Sequence, residues 1–214
     1  MIAAALLAVT FVTADGWRIA GDYQAPSAGK PTAILVHCVA AGRGEWAPLI
    51  QELAKRGWGT LAIDLRGHGA SGAGPKGPDD FRGIDARGEW PQAERDILAA
   101  ARFLKDRGVG ARQLVLIGAS IGANLCSRAA AVLKPRTLVL LSPGADYRGV
   151  RLAPIAPARS IAAAAPTDAY AHATVRRLKE LLPGLTVLEA SSGHGAQMLE
   201  DKVWREALLK RLTK

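Results

Sequence analysis

The sequence predicts an α/β fold, a mostly parallel sheet with helices on both faces, and three observations carry that prediction. Short uninterrupted apolar runs, such as Thr-Ala-Ile-Leu-Val at Thr32–Val36 and the run over 113–117, read as strands buried on both sides. Segments with apolar residues three and four apart alternate with those runs. A strand that returns parallel to its predecessor through a helix does so by a crossover that covers the sheet. The third observation is a junction, where strand 113–117 gives way to a helix over 124–133 through Gly118-Ala119-Ser120-Ile121-Gly122. A serine on so sharp a strand-to-helix turn is held in strained backbone geometry, and the flanking glycines leave room for the bend. Its hydroxyl then projects above the sheet at a helix start, where free N–H groups and the positive dipole end favour a developing oxyanion. Ser120 is the candidate nucleophile.

The remaining elements follow in order. Residues 9–13 and 17–23 make a hairpin around the turn residues Asp15-Gly16. After the strand at Thr32–Val36 comes a helix over 46–56, with Leu49, Ile50, Leu53 and Ala54 inward and Gly57 as its left-handed cap. Residues 60–65 form the next strand, and 91–106 a helix with Ala93, Ile97, Leu98, Ala101 and Leu104 on one face. Beyond the serine turn and its helix, Thr137–Leu141 is a strand and Ser160–Ala164 a weaker one. Residues 174–182 are helical, Thr186–Glu189 is a short strand, and 203–212 is the closing helix. The Gly/Pro/Asp-rich stretch 71–88 reads as a long surface loop.

With 214 residues, 49% hydrophobic and 22% charged, the chain is expected to form one domain with a large core. Two cysteines, Cys38 and Cys126, make neither a disulfide framework nor a metal-ligand spacing. No metal or organic cofactor is implied. The balance of 28 basic against 19 acidic residues gives a net charge of +9. The basic residues are scattered without an aromatic stripe, which argues against nucleic acid and for a solvated basic surface of the kind that attracts anionic substrates. The first twelve residues are apolar, and Val12-Thr13-Ala14 loosely resembles a signal cleavage site. No Lys or Arg precedes them, however, and the run is too short to span a bilayer. The expectation is a soluble protein, cytoplasmic rather than exported, with residues 1–8 at most a signal remnant or disordered.

The motifs together resemble a known family. Leu-Val-Leu-Ile-Gly-Ala-Ser-Ile-Gly-Ala over 114–123 resembles the nucleophile elbow of the α/β-hydrolases. Asp64-Leu65-Arg66-Gly67-His68-Gly69-Ala70-Ser71 is similar to that family's D-x-R-G-H-G-x-S segment, and Val36-His37 followed by Trp46 resembles its H-G…W oxyanion region. The likeness covers nearly the whole chain. It is nearest to small bacterial capless esterases and the dienelactone-hydrolase-like branch, and it implies an α/β-hydrolase fold without a separate cap domain.

The resemblance also implies the partners of Ser120. The family places its acid after a late strand and its histidine after the last one. Asp168 and His194 occupy those places, with Asp146, one strand earlier, the competing acid. The chemistry asks for such a trio in its own right. A serine hydroxyl needs an imidazole as general base, and the imidazole needs a carboxylate to fix its tautomer and stabilise its cation. His194 lies between glycines on a loop. His37 and His68 read as structural members of fixed motifs, His172 as a surface residue at a helix start, and Asp64 as structural. The oxyanion donors are expected to be the backbone N–H of Ile121 and one from Cys38 or Val39. Cys38 stands where the family usually has glycine, which leaves the second donor open; as a nucleophile it lacks the elbow context. Only 17 residues separate Ser142 from Ser160, too few for a helical lid, so the site should be open and suited to small esters. The expected function is therefore a serine hydrolase of small carboxylic esters. A thioesterase or peptidase on the same fold, or a silent-site binding protein, are the alternatives.

Overall fold

Asp15 and Gly16 turn the chain back on itself, with Gly16 at φ +88°, so that β1 (Leu7–Val12) pairs antiparallel with β2 (Arg18–Gln24). These strands come from a computed structural model that describes residues 6–155 and 159–213. Residues 7 and 8 thus belong to β1, while 1–5, most of the expected signal remnant, lie outside the described residues. Next come β3 (Thr32–Val36), α1 (Ala47–Lys55) and β4 (Gly59–Ile63), with Gly57 at φ +76° closing the helix. β2 runs antiparallel to β4, and β4 parallel to β3.

The stretch 71–88 departs from the expected loop. It holds a two-stranded ribbon, β5 (Ala73–Gly74) with β6 (Gly77–Pro78), and a helix, α2 (Phe81–Ala86). Asp80 caps that helix by accepting the N–H groups of Arg82 and Gly83, each at 3.0 Å, and Ile84 anchors it in the core. The turn-forming composition that reads as loop is thus also the material of caps and hairpins. A 3-10 turn at Trp90–Ala93 leads into α3 (Glu94–Lys105). Then follow β7 (Leu114–Ala119), α4 (Ile121–Leu133) and β8 (Thr137–Leu141). A small ribbon, β9 (Asp146–Tyr147) with β10 (Val150–Arg151), precedes β11 (Ser160–Ala164). The chain ends in α5 (Ala169–Leu181), β12 (Thr186–Glu189) and α6 (Lys202–Leu212).

The parallel strands lie in the order β12-β11-β8-β7-β3-β4, with the antiparallel β2 and β1 beyond β4. Along each strand, successive side chains enter opposite layers. Ile34, Leu116 and Leu140 pack with Ile97 and Leu104 of α3, Leu125 of α4 and Val175 of α5. Leu35, Ile117 and Val139 pack on the other face with Leu49 and Leu53 of α1 and Trp204 and Leu208 of α6. Both faces are covered, which is why the strands read as continuous apolar runs. The carboxyl ends of β3, β7, β8 and β11 open on one rim, where ligands of open α/β sheets are held. Among the described residues, no helix is long and apolar enough to cross a membrane.

Candidate active site

At the end of β7 the chain must reverse into α4 within a few residues, and the glycines around Ser120 make this possible. A Cβ on Gly118 would fall 2.2 Å from the Gly122 carbonyl oxygen, and one on Gly122 would fall 2.4 Å from the Val36 carbonyl oxygen. The helix start is therefore pressed against both its own strand and the end of β3. Ser120 takes up the bend at φ +56°, ψ −123°, a strained conformation for a residue with a side chain, which costs about 1–3 kcal/mol. Its N–H donates to the Leu141 carbonyl oxygen at 2.8 Å, and its own carbonyl accepts from Ala123 at 2.9 Å, so the turn is fixed from both sides.

The imidazole of His194 meets Asp168. Nδ1 lies 2.7 Å from Asp168 Oδ2, and the carboxylate is well shielded while the imidazole stays part-exposed. Asp168 stands at the N-cap of α5, yet its side chain makes no cap hydrogen bond and is spent on the histidine instead. Asp146, the competing acid, lies elsewhere. Its carboxylate accepts the Gly149 N–H at 2.8 Å and closes the β9–β10 turn. The histidine loop is pinned to the rim: the Gly195 N–H donates to Ser142 Oγ at 2.9 Å, and the His194 N–H donates to Gln197 Oε1 at 3.1 Å. A Cβ on Gly195 would lie 3.7 Å from the Ser120 nitrogen, which places the His194 loop directly over the serine turn.

The expected oxyanion donors are not equivalent. The N–H groups of Ile121 and Val39 make no hydrogen bond among the described residues. The Cys38 N–H is taken: it donates to Glu45 Oε1 at 3.0 Å. The Cys38 thiol is in the same corner, and burial together with the Glu45 carboxylate pushes its pKa up to about 12. A thiol so held stays protonated and is a poor nucleophile.

Comparison with known proteins now decides the family. A model described as the alpha/beta hydrolase family matches residues 33–212, which takes in every element from β3 to α6. The chain belongs to the alpha/beta hydrolase family. Among solved structures, this alpha/beta hydrolase is similar to a serine hydrolase without a lid from Xanthomonas campestris, at 22% identity over 97% of this chain and 94% of the other, with a TM-score of 0.74. It is also similar to an esterase from Pyrococcus furiosus, at 18% identity over 98% and 91% of the two chains and a TM-score of 0.73. An esterase from Exiguobacterium antarcticum shares 12% identity over 97% and 100%, with a TM-score of 0.74. At these identities the likeness is one of fold, and in keeping with it no cap domain is found among the described residues. No curated protein matches the sequence.

The other histidines of the hydrolase shape the loop after β3. His37 Nε2 accepts the Leu65 N–H at 2.9 Å, so Nδ1 carries the proton toward the Cys38 carbonyl oxygen at 2.6 Å. His68 Nε2 accepts the Ala40 N–H at 3.2 Å. Burial lowers the pKa of both. Asp64 accepts the Arg43 N–H at 2.9 Å and the Ala70 N–H at 3.0 Å and pairs with the Arg43 guanidinium, tying that loop to the β4 end. His172 sits in the first turn of α5, its N–H donating to the Asp168 carbonyl oxygen at 2.8 Å and its Nε2 lying 3.0 Å from Glu189 Oε2, and takes no part in that loop.

Three residues at the hydrolase site escaped the sequence reading. Ser142 holds the His194 loop. Tyr147 donates its hydroxyl to the Ser142 carbonyl oxygen at 3.2 Å and lies against the Ser120 side chain, with its ring edge-on to His194 at 6.4 Å. Burial and the charge of Asp168 raise its pKa, so the phenol stays a donor. Glu45 is the third. Only its place just before Trp46, in the segment resembling the oxyanion region, signalled it.

Proposed function

We propose that this protein is a serine hydrolase that cleaves small carboxylic esters through an acyl-enzyme intermediate. The observation that carries the reading is the 2.7 Å contact between His194 Nδ1 and Asp168 on a loop lying over the strained Ser120 turn. With Asp168 holding the proton on Nδ1, Nε2 is the free base. In the proposed cycle Nε2 takes the Ser120 hydroxyl proton as Oγ bonds to the ester carbonyl carbon. The carbonyl π pair moves onto oxygen, held by the N–H groups of Ile121 and Val39. Collapse breaks the bond to the alcohol oxygen, which leaves with the proton from the imidazolium. Water then attacks the acyl-serine with His194 as base again, releasing the carboxylic acid and restoring Ser120. Small substrates fit the surroundings. An apolar hollow of about 430 Å³, open to solvent, is lined by Leu152, Tyr170 and Leu178, and the Tyr170 ring lies 5.6 Å from that of Tyr147.

The test is Ser120→Ala, assayed on nitrophenyl acetate with thermal unfolding as a control. The proposal expects turnover to fall to background while the unfolding temperature is kept. Near-wild-type turnover by a folded variant contradicts it.

A further inference from the structure

Glu45 brings a carboxylate into the site with no cation to match it. Elsewhere the shielded carboxylates are paired: Asp96 and Asp15 with Arg66, Asp64 with Arg43, Glu94 with Arg128. Glu45 makes no ion pair among the described residues, and its carboxylate accepts hydrogen bonds from Cys38 alone, from the N–H at 3.0 Å and from the thiol. Burial pushes its carboxyl pKa up, opposed by its hydrogen bonds with Cys38 and by the nearby His194 side chain. Its neighbour Cys38 belongs to the reacting corner, since Cys38 Sγ lies 2.6 Å from where a Cβ on Gly195 would be, next to the Ser120 nitrogen.

A lone carboxylate in this place has two costs. It is desolvated with no ion pair and only hydrogen bonds from Cys38 to offset the loss, and its charge opposes the negative charge that develops on the carbonyl oxygen of any neutral ester. A substrate carrying a positive charge between the carboxylate and the reacting carbonyl removes both. We propose that Glu45 is a specificity-determining residue that selects esters bearing a protonated amine one or two carbons from the scissile carbonyl. The inference rests on the serine-esterase reading above and names the substrate class for that site. The chain's net charge of +9 does not oppose it, because the surface field acts at range and is screened by salt whereas Glu45 acts at contact.

The test compares methyl 3-aminopropanoate, protonated near neutral pH, with its uncharged isostere methyl butanoate, on wild type, Glu45→Gln and Glu45→Asp. Wild type is expected to show the higher kcat/KM on the amino ester. Glu45→Gln should lower kcat/KM on the amino ester about tenfold or more and raise it on the neutral ester. Glu45→Asp, which keeps the charge, should keep the preference. Movements of opposite sign are the signature, since loss of a merely structural bond to Cys38 lowers both. Two esters that fall together in Glu45→Gln overturn the inference. Wild-type preference for methyl butanoate overturns it whether or not the variants fold, and leaves the esterase reading standing. No turnover of either ester by wild type, with Ser120 inert to a fluorophosphonate, overturns the reading and the inference together.

Discussion

At the residue scale, the two candidate acids differ in what their carboxylates bond. Asp146 and Asp168 each follow a strand of the sheet, and chain order alone allows either. Geometry separates them, because the Asp168 carboxylate reaches His194 Nδ1 at 2.7 Å while the Asp146 carboxylate is used on the Gly149 N–H. Asp168→Asn should therefore cost about four orders of magnitude in turnover, the usual penalty for losing the acid of such a trio, and Asp146→Asn should cost little. Steady-state kinetics on one nitrophenyl ester decides this, and a crippled Asp146 variant beside an active Asp168 variant reverses the assignment. Ser120 and His194 were legible because glycine neighbours mark a strained turn and a loop. Glu45, Ser142 and Tyr147 were not, because their importance lies in contacts between loops far apart in sequence. Neither composition nor spacing encodes that Gly195 will bond Ser142 or that Cys38 will bond Glu45.

At the element scale, the buried strands and the helices with wide apolar faces were readable from their periods, and the exceptions have local causes. α5 begins at Ala169, earlier than the expected 174, because its first turns are rich in alanine and offer only Ala171 to the core. The ribbon of β5 and β6 pairs through two residues per strand, too few to show alternation. The elbow is where element and site coincide, and it makes a strong demand on one residue. A methyl group on Gly122 would meet the carbonyl oxygens of Val36 and His37 at 2.4 and 2.6 Å, both backbone atoms with no freedom to yield. Gly122→Ala should destabilise the fold by about 3 kcal/mol, the upper range for overpacking a core, and displace Ser120 with it. Urea unfolding measures the loss. A variant as stable as wild type with full ester turnover contradicts the tight approach of α4 to β3.

At the scale of the whole molecule, two apolar layers flank one sheet and a set of buried polar groups braces the rim. His37 is fully buried, and burial, aided by His68, lowers its pKa from 6.5 to about 4. Because the folded value lies below the unfolded one, the unfolded chain takes up the proton first on acidification. The stability that neutral His37 contributes is complete above about pH 6.5, is lost as pH falls from there toward about 4, and amounts to about 3 kcal/mol. Nitrogen NMR of the imidazoles should find His37 neutral down to about pH 4 in the folded protein, and titration near 6.5 contradicts the sealed environment described. Ser120 itself is buried, at 4% exposure beneath the His194 loop and Tyr147, but among the described residues no cap domain lies above the rim, and covalent capture by a small reagent is the most direct measurement of all. Wild-type protein treated with a fluorophosphonate should gain the mass of one phosphonyl group, mapped to the peptide holding Ser120, and Ser120→Ala should gain none. Intact mass spectrometry that finds no adduct on wild type, or an equal adduct on the Ser120→Ala variant, contradicts the claim that Ser120 is the nucleophile.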